Sequence, residues 1–261
     1  MAKQDDIYAN KILLNAVLPV IKVIVESREK FSRPFAGKSG VVQFSALDNG
    51  VKTGMHFVIE KGAFTAKLET AEKPDLEFEF PSLPHFNRFF TGKTKKLPRI
   101  RGLRHFGLLL AVLKVLLFMP GLLLTEKPHE KQEDKELYVK LMFYIATSGI
   151  SQLNRAGHPE VAAWTKYSPD RIIQMEVKDR PDLAAYLRVK LGKTKAARGR
   201  YEKSKPFLTM LFDSVDSAMR IVMGVEDMIS ATEKGHVVLQ GPPEIGVEVG
   251  GLMFTVAAYT K

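Results

Sequence analysis

The chain of 261 residues contains no cysteine. That excludes disulfides, thiolate metal sites and a cysteine nucleophile, but it does not fix the redox compartment. Catalytic signatures are also missing. The histidines His56, His85, His105, His129, His158 and His236 form neither an HExxH pair nor a close His/Asp cluster. Gly37-Lys38-Ser39-Gly40 lacks the spacing of a GxSxG elbow. The string GKTK occurs at 92–95 and at 192–195, yet the position five before each glycine is Asn87 or Leu187, so neither is a phosphate loop. No GxGxxG follows a strand pattern. These absences point away from an enzyme and imply no metal and no cofactor. If a reaction occurs, its catalytic groups come from elsewhere in a complex. No targeting signal is expected from the first residues: Asp5 and Asp6 occupy positions where a signal peptide is basic.

What is present is an ordinary globular balance, with 45% apolar and 26% charged residues and a net charge of +10. Such an excess suggests an anionic partner. Residues 7–25 read as an amphipathic or buried helix with Pro19 as its kink. Residues 107–124 (GLLLAVLKVLLFMPGLLL) approach the length of a membrane span. Lys114 sits in their middle, and a charge there costs about 2.5–3.5 kcal/mol on insertion scales. Pro120-Gly121 is expected to break the helix. The segment is therefore read as a helix buried on most sides, by the core, a bound lipid or a partner subunit.

The sequence also reads as one unit met twice. Residues 73–92 (KPDLEFEFPSLPHFNRFFTG) align without gaps to 205–224 (KPFLTMLFDSVDSAMRIVMG), with seven of twenty identical. Upstream, 41-VVQF-44 matches 172-IIQM-175. The expected division is 1–130 and 131–261, each opening on a helix. Within the first unit Leu76, Phe78 and Phe80 alternate with Glu77 and Glu79, as do Phe64, Ala66 and Leu68 with their polar neighbours. This is the period of strands with one buried face. Lys61-Gly62 fits a hairpin turn. Leu187, Val189 and Leu191 alternate likewise in the second unit. A short helix follows each block, capped by Ser82 in one and by Asp213 or Ser214 in the other, and ended by Gly92 or Gly224. The fold class is α+β.

This layout resembles the sterol carrier protein 2 (SCP2) family. The likeness rests on the strand-rich block, the capped helix ending in glycine, and a following strand of the form Gly-x-apolar-x-apolar-x-Gly. That strand is clearest at 231-ATEKGHVVLQG-241 and weaker at 95-KKLPRIRG-102. The resemblance covers roughly 41–124 and 171–260. It implies a mixed, mostly antiparallel sheet with helices on one face of each unit, enclosing an apolar tunnel for fatty acyl chains, sterols or other lipids. The run 107–119 would form the mouth of the first pocket; the second unit is expected to have no comparable helix near its end. The lining would comprise Phe57, Ile59, Phe64, Phe78, Phe80, Phe86, Phe89 and Phe90 in one unit. Val189, Met210, Phe212, Met219, Val222 and Met223 would supply it in the other.

The positive charge is concentrated. Residues 93–104 hold Lys93, Lys95, Lys96, Arg99, Arg101 and Arg104 without an acid, and 188–205 hold eight basic residues, including Lys193, Lys195, Arg198 and Arg200, against Glu202 alone. These runs fit solvated strand faces and loops, or a surface for anionic membrane; Tyr201 is the one aromatic in the second run, which argues against single-stranded nucleic acid. The expectation is a cytoplasmic lipid-binding or lipid-transfer protein, peripheral at membranes. The competing expectation is a non-catalytic subunit or oligomer that uses 107–124 as its interface.

Overall fold

A computed structural model of the chain describes residues 3–260. It is α+β, with two five-stranded mixed sheets, one in each of two compact units. The first unit runs through Leu124 and the second covers 125–259.

The first unit opens with α1 (Gln4–Ile12) and α2 (Val20–Ser27), joined by a π-type turn at Leu13–Val17. Pro19 has no N–H to donate, and the chain absorbs it by widening one turn: the Leu18 N–H reaches the Leu13 carbonyl at 2.9 Å. A short α3 (Glu29–Ser32) leads to β1 (Gly40–Asp48), β2 (Val51–Glu60), β3 (Ala63–Lys67) and β4 (Leu76–Phe80). Next come α4 (Leu83–Phe90), β5 (Arg99–Arg101) and α5 (Phe106–Leu123). The sheet order is β3-β2-β1-β4-β5. Only β1 and β4 run parallel, Val42 facing Leu76 through to Ala46 facing Phe80. The expected hairpin turn is there: Lys61 and Gly62 both have positive φ, 49° and 92°.

The second unit repeats this connectivity. After α6 (Gln132–Arg155) and α7 (Pro159–Lys166) come β6 (Arg171–Val177), β7 (Arg180–Lys190), β8 (Lys193–Arg198) and β9 (Leu208–Phe212). Then follow α8 (Val215–Val222), α9 (Met228–Glu233), β10 (Val237–Gln240) and α10 (Pro243–Ala258). The order is β10-β9-β6-β7-β8, again with one parallel pair, β6 and β9. Ser82 and Ser214 cap α4 and α8, each hydroxyl accepting from the N–H three residues on at 3.2 Å. Gly92 and Gly224 end these helices at φ 71° and 73°. Gly102 and Gly241 stop the fifth strands where the neighbouring strand crowds them. A Cβ on Gly102 would lie 1.8 Å from the Asp75 carbonyl oxygen, and one on Gly241 2.5 Å from that of Phe207.

Helices cover one side of each sheet, and that side is the core. Phe44, Phe57, Phe78 and Phe80 are buried there in the first unit. Phe80 meets Phe86 of α4 at 4.9 Å between ring centres. In the second, Met175, Leu187, Met210 and Phe212 are buried, and Phe143 of α6 meets Phe212 at 5.2 Å. Burying one such side chain contributes about 1.5–3 kcal/mol.

Four expectations need correction. Pro120 does not break α5, which continues to Leu123; so near the C-terminal end, Pro forfeits a single bond of the helix ladder. Nor is α5 buried on most sides: Leu108, Leu109, Val112, Val115 and Met119 face inward, while Leu110 and Leu117 are exposed. The second unit does end in a helix comparable to α5, namely α10. Gly246, Gly250 and Gly251 weaken its pattern, but Pro242-Pro243 is a start signal, since Pro suits the first helical turn. Finally, Leu68 and Leu191 do not continue their strands' buried rows. Both are exposed, and Leu191 sits in the β7–β8 turn at φ 43°.

Candidate functional site

Three surfaces carry the candidate chemistry: the inner faces of the sheets, their outer faces, and the segment from Lys93 into α5.

The inner faces gather the apolar residues singled out from sequence. Phe57, Ile59, Phe64, Phe78, Phe80 and Phe86 are buried, with Phe89 and Phe90 half-buried at the end of α4. Phe80, Phe86, Phe89 and Phe90 form one aromatic cluster with ring-centre spacings of 4.6–5.7 Å. In the second unit Val189, Met210, Phe212 and Met219 are buried, and Val222 and Met223 are half-buried at the end of α8.

The outer faces are not the plain solvated strand faces that the alternation predicts. Both are polar and largely buried, because the loop before the fourth strand folds over them. In the first unit the Gln43 side-chain carbonyl accepts the Ala71 N–H at 2.6 Å, and its amide donates to Glu77 Oε1 at 2.8 Å. Ser45 and Lys52 donate to that same oxygen, each at 2.7 Å. Lys52 also pairs with Glu79 at 2.7 Å, and Arg101 reaches Glu79 at 2.8 Å. Burial pushes the Glu77 carboxyl up, but the hydrogen bonds from Lys52, Ser45 and Gln43 outweigh it and hold it below its ordinary range. The hydrogen bond from Lys52, opposed by burial and reinforced by Arg101, does the same for Glu79.

In the second unit Gln174 occupies the place of Gln43. Its carbonyl accepts the Tyr201 N–H at 2.8 Å and its amide donates to Glu176 Oε2 at 2.6 Å. Here the carboxylate comes from the first strand of the sheet rather than the fourth. Between this face and the 199–206 loop lies a cleft of about 530 Å³, lined by Glu176, Arg200, Tyr201, Lys205, Thr209 and Gln240 among others. The sequence reading missed this row, although the shared Gln of 41–44 and 172–175 was its visible trace.

The basic runs are partly neutralised by acids brought from other strands. Arg101 binds Glu79, Arg200 lies 3.3 Å from Glu176, and Asp170 takes Arg188 at 2.5 Å and Lys190 at 3.2 Å. Arg198 stacks 5.2 Å from the Tyr144 ring centre. Lys93, Lys95, Lys96, Arg99, Lys193 and Lys195 are exposed. Beside the first group stand large exposed apolar side chains: Leu97 at 73%, Leu103 and Phe106 at 61%, and Leu117 at 80%. Phe106, Leu110 and Leu117 share one side of α5, with Lys114 between them donating to the Lys30 carbonyl at 2.9 Å. Among the described residues two helical stretches, Gln4–Ser27 and Leu103–Leu123, are long and apolar enough to cross a membrane; the first is 67% buried within the chain and the second 39%. No cluster of three or more His, Asp or Glu with metal-site geometry occurs among the described residues.

No family model matches the chain, and no curated protein matches it. Similar solved structures include SCP2-domain proteins. A UbiJ-SCP2 ubiquinone synthesis protein is 15% identical, covering 43% of this chain and 96% of its own, at a TM-score of 0.31. A conserved hypothetical protein from Thermus thermophilus, described as possibly a sterol carrier protein, is 16% identical. It covers 44% of this chain and 85% of its own, also at 0.31. A sec-alkylsulfatase from Pseudomonas sp. is 14% identical over 47% of this chain and 25% of its own, at 0.27.

Proposed function

We propose that the chain is a tandem pair of SCP2-like units that bind a hydrophobic ligand, such as a fatty acyl chain or a sterol, between sheet and helices. It would exchange that ligand at an anionic membrane surface. The reading takes 1–130 and 131–261 as the two units, each with its own pocket walled by the inner-face residues named above. The observation that carries it is the continuity of the exposed apolar stripe of α5 with the basic run before it. Leu97, Leu103, Phe106, Leu110 and Leu117 alternate with or adjoin Lys93, Lys95, Lys96, Arg99 and Arg104 along one stretch of chain. Lys and Arg near an acidic bilayer contribute about 1 kcal/mol each, and apolar side chains between them enter the headgroup boundary. A helix greasy on both sides, with one side on the core, suits a wall that opens toward lipid. The reading is non-catalytic and places the protein in the cytoplasm, peripheral at membranes.

Vesicle flotation tests it. The chain is expected to float with vesicles containing phosphatidylglycerol and not with pure phosphatidylcholine, and Phe106→Ser with Leu117→Ser is expected to abolish flotation. Equal recovery on both vesicle types, or flotation that survives the double substitution, contradicts membrane docking. The same exposed stripe favours one second reading, a protein interface through 107–124. A ligand-free oligomer by light scattering, returned to monomer by Leu117→Ser, would replace the first reading with it.

A further inference from the structure

The seam between α1 and α4 leaves two amides open inside the first unit. Asn10 is 2% exposed and Asn87 7%. Asn87 Nδ2 donates to the Asp6 carbonyl at 2.9 Å, which ties α4 to α1. Turning that amide over would set its oxygen against the Asp6 carbonyl, so this bond fixes which way the amide points. Asn87 Oδ1 is then buried without a partner among the described residues. Asn10 stands one helical turn on from Asp6, on the same side of α1, and its Nδ2 is likewise buried without a partner among them. One open acceptor and one open donor therefore sit on a single seam. Their surroundings are apolar: Tyr8 and Ile12 of α1 and Phe86 of α4 are buried, and Phe86 and Phe90 belong to the aromatic cluster of the inner face.

The second unit shows that the fold does not require an amide here. Position 219 aligns with 87 in the repeat, and it holds Met219, fully buried. There the opening helix α6 is tied to α8 nearer the surface, by Lys135 and Asp216 at 2.5 Å. Buried polar groups are ordinarily satisfied, because an orphaned one carries its full desolvation cost. The demand on the α1–α4 seam is specific: a group that fills it must accept from Asn10 and donate to Asn87. A hydroxyl does both with one atom. An ether oxygen only accepts, and a carboxylate only accepts and would set its charge against Asn87 Oδ1.

We propose that Asn10 and Asn87 bind the hydroxyl of a lipid alcohol whose apolar body lies along the aromatic cluster of the inner face. This rests on the reading that the first unit holds a hydrophobic ligand, and it names the polar end of that ligand. Native mass spectrometry of the delipidated full chain tests it, with 1-hexadecanol and cholesterol each set against its own methyl ether, and with hexadecanoate at neutral pH. The expected result is one alcohol-selective site per chain, at least tenfold tighter for the alcohol than for its ether or for hexadecanoate. Selectivity confined to cholesterol assigns a sterol body, and selectivity confined to 1-hexadecanol a linear chain. Asn87→Met, which installs the second unit's residue, and Asn10→Leu, close in size and free of the orphaned donor, are each expected to abolish the preference while the ethers still bind. Asn10→Leu is also expected to leave the urea midpoint unchanged or raised, so that a lost preference is not a lost fold. Equal affinity for alcohol and ether, hexadecanoate bound as tightly as the alcohol, or a preference that survives both folded variants overturns the proposal and assigns the seam to a buried water. Binding of none of these compounds overturns it together with the reading it rests on.

Discussion

The two sheets share one topology and the same kind of inner face, yet their outer faces solve one problem in opposite ways. Each has a buried glutamine that ties down the loop before the fourth strand, and each sets a carboxylate beside it. In the first unit that carboxylate, Glu77, comes from the fourth strand and is matched by Lys52, with Glu79 and Arg101 completing the network. In the second, Glu176 comes from the first strand, pairs with Arg200, and borders an open cleft. The strand order is therefore indifferent to which strand supplies the charge. What differs is how the charge is matched: two carboxylates and two cations close the first network, whereas one carboxylate with an exposed arginine borders a cleft in the second.

The sharpest way to probe what the units share is to truncate equivalent core residues. Phe80→Ala and Phe212→Ala are each expected to cost about 3–5 kcal/mol in urea unfolding, because each leaves a cavity in a packed inner face. A much smaller loss at one of them would mark that unit's inner face as the one with ligand space beside the ring. The outer faces should then separate. Lys52→Ala strands two buried carboxylates and is expected to cost about 2 kcal/mol, below the full cost of breaking a buried pair because Lys52 is partly exposed. Arg200→Ala, at an exposed partner, is expected to cost under about 1 kcal/mol by the same measurement. Equal losses would erase the contrast.

The pH dependence carries the same contrast. Glu77 and Glu79 titrate below their ordinary range in the folded chain, so their contribution is complete above the unfolded carboxylate value of about 4.3. It is lost as the pH falls through their depressed folded values. Glu136, held down to about 2 chiefly by its hydrogen bond from Arg180 against burial, makes the second unit lose stability over about pH 4 to 2. Lys52→Ala is expected to flatten the acid limb of the first unit's stability curve and leave the second unit's unchanged; thermal melts across that range check it. The smallest effect belongs to the caps: Ser82→Ala and Ser214→Ala should each cost about 1 kcal/mol, with Ser214→Ala the larger because its hydroxyl also meets Asp213 and Ser217.

Much of the fold was legible because local pattern and tertiary burial agree there. The alternation of Leu76, Phe78 and Phe80 marks an inward row, and serine caps with terminal glycines bound two short helices whose apolar faces meet that row. Legibility stopped where burial departs from hydrophobicity. Glu77, Glu79, Gln174 and Glu176 look like solvent-facing residues in sequence, but a folded loop buries them, and only non-local hydrogen bonds reveal it. Basic runs that look unopposed find their acids across strand pairs, as Arg188 finds Asp170. The exposed half of α5 could not be foreseen, since an all-apolar helix gives no sign of which side meets the core. The glycines of α10 hid a helix whose start was marked by its two prolines.

A hydrophobic ligand held between the covered inner faces and their helices would leave with the purified protein. Native mass spectrometry of the purified full chain, followed by titration with a fluorescent fatty acid, tests it most directly. The expected result is an adduct of lipid mass that organic extraction removes, and saturable fatty-acid binding by the stripped protein. A bare polypeptide with no saturable binding would contradict it and leave both inner faces as ordinary core.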